Sequence, residues 1–146
     1  MKLLFLVDNS VLQRLHRSDE VAAALVDLLD RGELAGCLPQ LLEEAYSARS
    51  ADDYDRIRTA NARAKLFLQS DAEVARLALD LQRRLFVAGK GRSVGVSDLQ
   101  IAATAIRHTT PTQRVSVVHY DADFEHVADI APEFRHEWIV PRGAVD

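Results

Sequence analysis

The sequence predicts an α/β fold in three layers, with a central, mostly parallel sheet flanked by helices. Two short apolar runs, Lys2 to Val7 and Val115 to His119, have the length and continuity of strands buried on both faces. Between them apolar positions recur at helical spacing, and strands alternating with helices imply a parallel sheet covered on both sides. Each of the two strands also runs into carboxylates, Asp8 after the first and Asp121-Ala-Asp123 after the second. In open α/β sheets the ligand site lies outside the carboxyl ends of the strands, so Asp8 and Asp121 are expected to face one crevice.

The elements follow in order. After the first strand, Asp8-Asn9-Ser10 supplies side chains that can accept from the free N–H groups of a following helical turn. From Ser18 to Asp30, Val21, Ala24, Leu25, Leu28 and Leu29 form one helical stripe, and Gly32 stops it. Leu34 to Leu38 is a short strand, and Pro39 suits the first turn of a helix running to about Arg49. Asp52 to Leu68 and Asp71 to Ala88 read as two more helices, the second with Val74, Leu77, Ala78, Leu81 and Leu85 on one face. The segment Gly89 to Gly95 is a glycine-rich basic loop, and Ser97-Asp98 opens a helix through Leu99, Ile101, Ala102, Ala105 and Ile106. The turn at Pro111 leads to the strand Val115 to His119, a short helix near Asp123 to Ala128, and a last strand from Glu137 to Val140.

At 146 residues the chain has the length of a single domain spanning 1–146, and its 48% hydrophobic and 27% charged residues are those of a soluble globular protein. No apolar run approaches the roughly 20 residues of a membrane span, and the run Leu3 to Val7 is too short for a signal-peptide core. A cytoplasmic location is expected. The single cysteine, Cys37, reads as a small buried hydrophobe. A net charge of −4 argues against a broad basic face for duplex DNA and leaves RNA open.

Two further acids are candidates for the crevice. Asp98 is a charge at a helix start inside the apolar stretch VGVSDLQIAATAI. Glu43 and Glu44 both lie off the apolar face of Leu38, Leu41, Leu42 and Ala45, and periodicity does not choose between them. Carboxylates gathered in one cleft repel, and a divalent cation neutralises them. Hard oxygen ligands point to Mg²⁺ or Mn²⁺, whereas one Cys and five scattered His give no zinc spacing. Carboxylate-held Mg²⁺ most often serves phosphate chemistry.

With these residues in place the chain resembles a known family. The ordered motifs Leu-Val-Asp8-Asn-Ser10, Leu-Leu-Glu43 followed by Tyr-Ser-Ala, Val-Ser-Asp98-Leu-Gln-Ile-Ala-Ala-Thr-Ala, and Val-Val-His-Tyr-Asp121-Ala-Asp123-Phe are similar to those of PIN-domain ribonucleases, and more narrowly of the VapC toxins of bacterial toxin–antitoxin pairs. The resemblance spans nearly the whole chain. It implies a PIN-like sheet flanked by helices, Mg²⁺- or Mn²⁺-dependent endonuclease activity on RNA, a homodimer, and inhibition by a cognate VapB antitoxin. DNA would then be met only through the antitoxin. By the same resemblance the catalytic and metal-binding acids are Asp8, Glu43, Asp98 and Asp121, the family spacing selecting Glu43 over Glu44. Asp123 is an accessory candidate, and Ser10 matches the small hydroxyl residue after the first aspartate. The antitoxin's C-terminal tail would supply an arginine to the acidic pocket.

The loop Gly89 to Gly95 lacks the spacing of a P-loop, and its Lys90 and Arg92 are instead candidates for contact with the RNA backbone. His119 is expected to share a strand face with Asp121 and to be structural. Phe134 and Trp138 are expected in the core or at a dimer contact, not as base-stacking platforms. Asp121-Ala-Asp123 superficially fits a haloacid-dehalogenase-like phosphatase, but that motif belongs on a first strand. A phospho-receiver domain needs a paired acid after strand one and a late lysine, which are missing. A non-catalytic acidic groove capturing a basic peptide is the remaining alternative.

Overall fold

A computed structural model describes residues 1–146, and its sheet is built from the apolar runs. The strand β1 (Lys2–Val7) alternates: Leu4 and Leu6 enter the larger of two buried clusters, while Phe5 and Val7 enter the smaller one on the opposite face. The strand β4 (Gln113–His119) does the same, with Val115 and Val117 on the first side and Val118 on the second. A period of two on a strand buried on both faces yields a continuous apolar run, which is why the sequence shows no polar alternation here.

Five strands pair in the order β3-β2-β1-β4-β5, every pair parallel, with β2 at Glu33–Cys37, β3 at Leu66–Leu68 and β5 at His136–Trp138. The smaller cluster lies under α1 (Asn9–Leu15) and α2 (Asp19–Arg31), through Val11, Val21 and Leu28. The larger cluster gathers Val74, Leu81 and Leu85 of α5 (Ala72–Val87), Leu99, Ile101, Ala102, Ala103 and Ala105 of α6 (Val96–His108), and Phe124 and Val127 of α7 (Asp123–Ile130). The three-layer arrangement read from the sequence is the one observed. Local capping agrees with it: the side chains of Ser18, Ser50 and Asp71 accept from the first-turn N–H groups of Val21, Asp53 and Val74. No helix is long and apolar enough to cross a membrane.

Several boundaries differ from expectation, each for a tertiary reason. The helix expected over Asp52 to Leu68 is α4 (Ala51–Ala64), and it stops where Lys65 turns extended and places its Nζ 2.8 Å from Glu44 Oε1. Leu66–Leu68 then runs parallel to Ala35–Cys37 and forms the sheet edge. A three-residue edge strand following a helix carries no periodic signal of its own. The helix α3 (Leu38–Tyr46) begins immediately at the end of β2 and ends before Arg49, where the Ser47 hydroxyl donates to Glu44 O at 2.8 Å. The last strand lies at His136–Trp138 instead of Glu137–Val140, in register with Val117–His119.

Several side chains noted in the sequence have structural places. Cys37 is a free, buried thiol whose burial pushes its pKa up to about 11. Phe134 is core, and the Trp138 indole N–H donates to Glu125 Oε1 at 3.0 Å while its ring packs on His119 and Tyr120.

Candidate active site

Parallel pairing of β1 and β4, with Val7 opposite Val118, ends both strands at one edge of the sheet. Asp8 extends this pairing, its N–H donating to Val118 O at 2.8 Å, and it also caps α1, where Ser10 N–H donates to Oδ2 at 3.1 Å. Asp8 is only 3% exposed, and its other oxygen, Oδ1, has no hydrogen-bond partner. A buried carboxylate oxygen left without a donor is costly unless a ligand completes it. Ser10 also ties the two strand ends together, because its Oγ accepts from Tyr120 N–H at 2.9 Å.

Asp121 follows β4 and is held from both sides. Its N–H donates to His119 Nδ1 at 3.1 Å, and its Oδ1 accepts from Asp123 N–H at 3.0 Å. Because Nδ1 of His119 is an acceptor, the neutral ring carries its proton on Nε2 and donates to His136 Nδ1 at 2.8 Å. His119 is fully buried among Phe124, His136 and Trp138, and burial lowers its pKa to about 3. The ring is therefore structural. It does not share a pocket with Asp121, because β4 ends at His119 and strand alternation does not carry on to residue 121.

The third acid arrives from the other side of the cleft. Asp98 sits in the first turn of α6, after Gly95, and a carboxylate there is favoured by the helix dipole. One oxygen each of Asp8, Asp98 and Asp121 lie within 4.8 Å of one another, close enough to hold a metal ion. Together with Glu43, Gln13 and Ser97 they line a cleft of about 360 Å³. Glu43 reaches this cleft from α3 but stands outside the group of three.

Electrostatics follow from the crowding. Burial, then the charges of Asp8, Asp121 and Glu43, push the Asp98 carboxyl up to about 8. Burial also raises Asp8, against the hydrogen bonds from Ser10, and raises Glu43, with Asp8 and Asp121 adding to the shift. The cluster is a set of hard oxygen donors with a surplus of negative charge and one orphaned oxygen, and this donor set suits a divalent cation.

The neighbouring glutamates part ways. Glu44 accepts from Lys65 Nζ at 2.8 Å, Asn61 Nδ2 at 3.0 Å and Gln40 Nε2 at 3.2 Å, and so faces away from the acidic cleft. Asp123 does not line the cleft; it gives the site its backbone N–H on Asp121 and a further negative charge that helps raise Asp98. Lys90 and Arg92 are also elsewhere, along an open cavity beside Phe86 that shares no residue with the cleft, and Lys90 is paired with Asp129 at 3.2 Å. Gln13 and Ser97 escaped the sequence reading. Ser97 directly precedes Asp98, and Gln13 lies one helical turn after Ser10, so proximity to the acids was their only signal.

Comparison with known proteins bears on this arrangement. The PIN domain family matches residues 5–130. The chain is 36% identical over 146 residues to "Ribonuclease VapC51" of Mycobacterium tuberculosis (strain ATCC 25618 / H37Rv), covering 100% of both chains. The chain belongs to the PIN-domain family, among the VapC proteins. A second relative, "Ribonuclease VapC21" of the same species (strain CDC 1551 / Oshkosh), is 37% identical over 139 residues, 95% of this chain and 96% of that one. Among solved structures, VapBC2 from Rickettsia felis, bound to a DNA fragment from its promoter, superposes with a TM-score of 0.70 at 15% identity over 92% of this chain and 98% of that one. That likeness is one of fold. In this PIN domain the shared fold brings Asp8, Glu43, Asp98 and Asp121 to one cleft.

The raised Asp98 pKa has a measurable consequence in metal-free protein. A carboxyl near pH 4 unfolded and near 8 folded contributes stability that is full below pH 4 and is lost as pH rises to 8. The lowered His119 acts in the opposite sense, but only below about pH 6.5, where an unfolded histidine gains its proton. Between pH 6.5 and 8 the Asp98 loss therefore dominates this pair. Urea melts in the presence of chelator should show stability falling across that window, and Asp98→Asn should flatten the fall. Parallel curves for the two proteins would contradict the cluster's electrostatics.

Proposed function

We propose that this chain is a Mg²⁺- or Mn²⁺-dependent endoribonuclease, the toxin of a VapBC-type pair that cuts RNA and arrests growth. The observation that carries the reading is the group of three carboxylates, with an unpartnered buried oxygen on Asp8, in a chain related to ribonucleases over its full length. The domain is taken as 1–146, and the location as cytoplasmic.

Asp8, Asp98 and Asp121 would hold the ion, with Glu43 completing the acidic wall. When bound, a divalent cation neutralises the phosphate, polarises its phosphoryl oxygen and favours ionisation of a water. The chain's own residues do the rest. Asp8 is locked by its place at the end of β1 and by Ser10, and Asp121 by its bonds to His119 and Asp123, so neither carboxylate must reorganise when substrate arrives. Glu43, with its raised pKa and its place outside the group of three, is suited to accept a proton from a water in the cleft. Arg92, which makes no ion pair, is the freer of the two loop cations for an RNA phosphate, and Lys90 would first have to leave Asp129. The phosphatase reading of Asp121-Ala-Asp123 fares worse, because only the first of the two acids lines the cleft.

Cleavage of total RNA by purified, antitoxin-free protein, with the new ends sequenced, tests the function. Activity should vanish with chelator and return with Mg²⁺ or Mn²⁺. Asp8→Asn and Glu43→Gln should each cost on the order of a hundredfold or more, since an ion's transition-state stabilisation is worth several kcal/mol. Glu44→Gln should keep most activity. Metal binding without cleavage of any RNA would leave only the peptide-capturing groove.

The partner follows from the same charge. Without metal, a guanidinium offered by another chain would relieve the repulsion by bidentate pairing and exclude both ion and substrate. The proposed donor is the C-terminal tail of a VapB-type antitoxin bound to a homodimer of this chain. A peptide of that tail should inhibit cleavage, and replacing its arginine with alanine should abolish inhibition. Equal inhibition by both peptides would rule out the arginine plug.

A further inference from the structure

The helix α3 carries Glu43 into the cleft, yet little in its own sequence fixes how it is turned. It is 9 residues long, no side chain caps its start, and Leu38, Leu42 and Tyr46 leave one face exposed within the single chain. Turning matters for a catalytic group. A helical side chain reaches roughly 5 to 6 Å from the axis, so a rotation of about 10° moves its tip about 1 Å. A displacement of that size costs on the order of a hundredfold in rate when the group must meet a reacting atom.

One residue on, and so about 100° around the helix, Glu44 is tied at both carboxylate oxygens. Lys65 Nζ donates to Oε1 at 2.8 Å, Gln40 Nε2 to the same oxygen at 3.2 Å, and Asn61 Nδ2 to Oε2 at 3.0 Å. These donors lie inside the protein. Gln40 and Asn61 are buried, and the Lys65 side chain is 8% exposed. Its stem lies over Gly36 of β2, where an added Cβ would stand 3.3 Å from Lys65 Cδ, so the strand leaves room for the lysine to reach across. Lys65 directly precedes β3, which pairs with β2, and β2 pairs with β1. The amine that holds Glu44 is therefore anchored to the sheet that also carries Asp8 and Asp121.

We infer that Lys65 is a positioning residue for Glu43: by holding Glu44 from the sheet, it sets the rotation of α3 at which the neighbouring carboxylate faces the three aspartates. The role rests on the ribonuclease reading and adds to it a residue that touches neither metal nor RNA. Asn61 shares the task from α4, and the pair of glutamates divides its work, one for the cleft and one for the anchor.

The test is single-turnover cleavage of an RNA oligonucleotide by the full-length protein, scored as a double-mutant cycle. Lys65→Met should slow cleavage about tenfold in the parent, with RNA affinity and Mn²⁺ affinity unchanged. In the Glu43→Gln background no carboxylate remains to be placed, and the same substitution should cost less than about twofold. Asn61→Ala removes one donor and is gentler on the fold; it should show the same dependence on Glu43 at about threefold. Glu44→Ala should match Lys65→Met, whereas Glu44→Gln keeps an acceptor oxygen for the lysine and should stay near the parent. Equal losses with and without Glu43 overturn the role, since a general weakening of the fold is blind to that side chain. Loss of Mn²⁺ affinity together with cleavage also overturns it, because the damage then reaches the aspartates. A parent protein that binds Mn²⁺ and cuts no RNA overturns the nuclease reading, and the positioning role with it.

Discussion

The pairing of β1 with β4 is the constraint on which the rest of this protein depends. Six consecutive residue pairs, Lys2 with Gln113 through Val7 with Val118, bring two strands more than a hundred residues apart in sequence to a common edge. Beyond that edge both backbones leave the sheet carrying an aspartate. Carboxylates this close repel, and a chain of hydrogen bonds fastens them: Asp8 by Ser10, Ser10 by Tyr120, Asp121 by the buried His119, and His119 by His136. The strain thus placed at the sheet edge is electrostatic, and it is what makes a cation, or a cationic side chain from a partner, the natural complement.

Much of this was legible in the sequence, for definable reasons. Strands buried on both faces leave unbroken apolar runs, so a carboxylate ending one stands out, as Asp8 and Asp121 do. Asp98 was visible as a charge in an apolar stretch. Glu43 and Glu44 were not separable by periodicity, because what parts them is Lys65, 21 residues away in sequence, which captures Glu44 together with Asn61. The same contact explains the missed strand: Lys65 ends α4, and Leu66–Leu68 acquires its identity only from the neighbouring Ala35–Cys37. Lys90 likewise looked free until the fold brought α7 and Asp129 beside it. Signals carried within one element could be read, and those created by the meeting of two could not.

The central claim is that burial, reinforced by the neighbouring carboxylates, keeps Asp98 protonated until a cation binds. Calorimetric titration with Mg²⁺ at pH 7, repeated in buffers of different ionisation enthalpy, counts the protons released on binding. With Asp98 titrating near 8 in the free protein, the account predicts release of about one proton per ion bound at pH 7, and less as the pH rises past 8. Binding without proton release between pH 6 and 8 would contradict it.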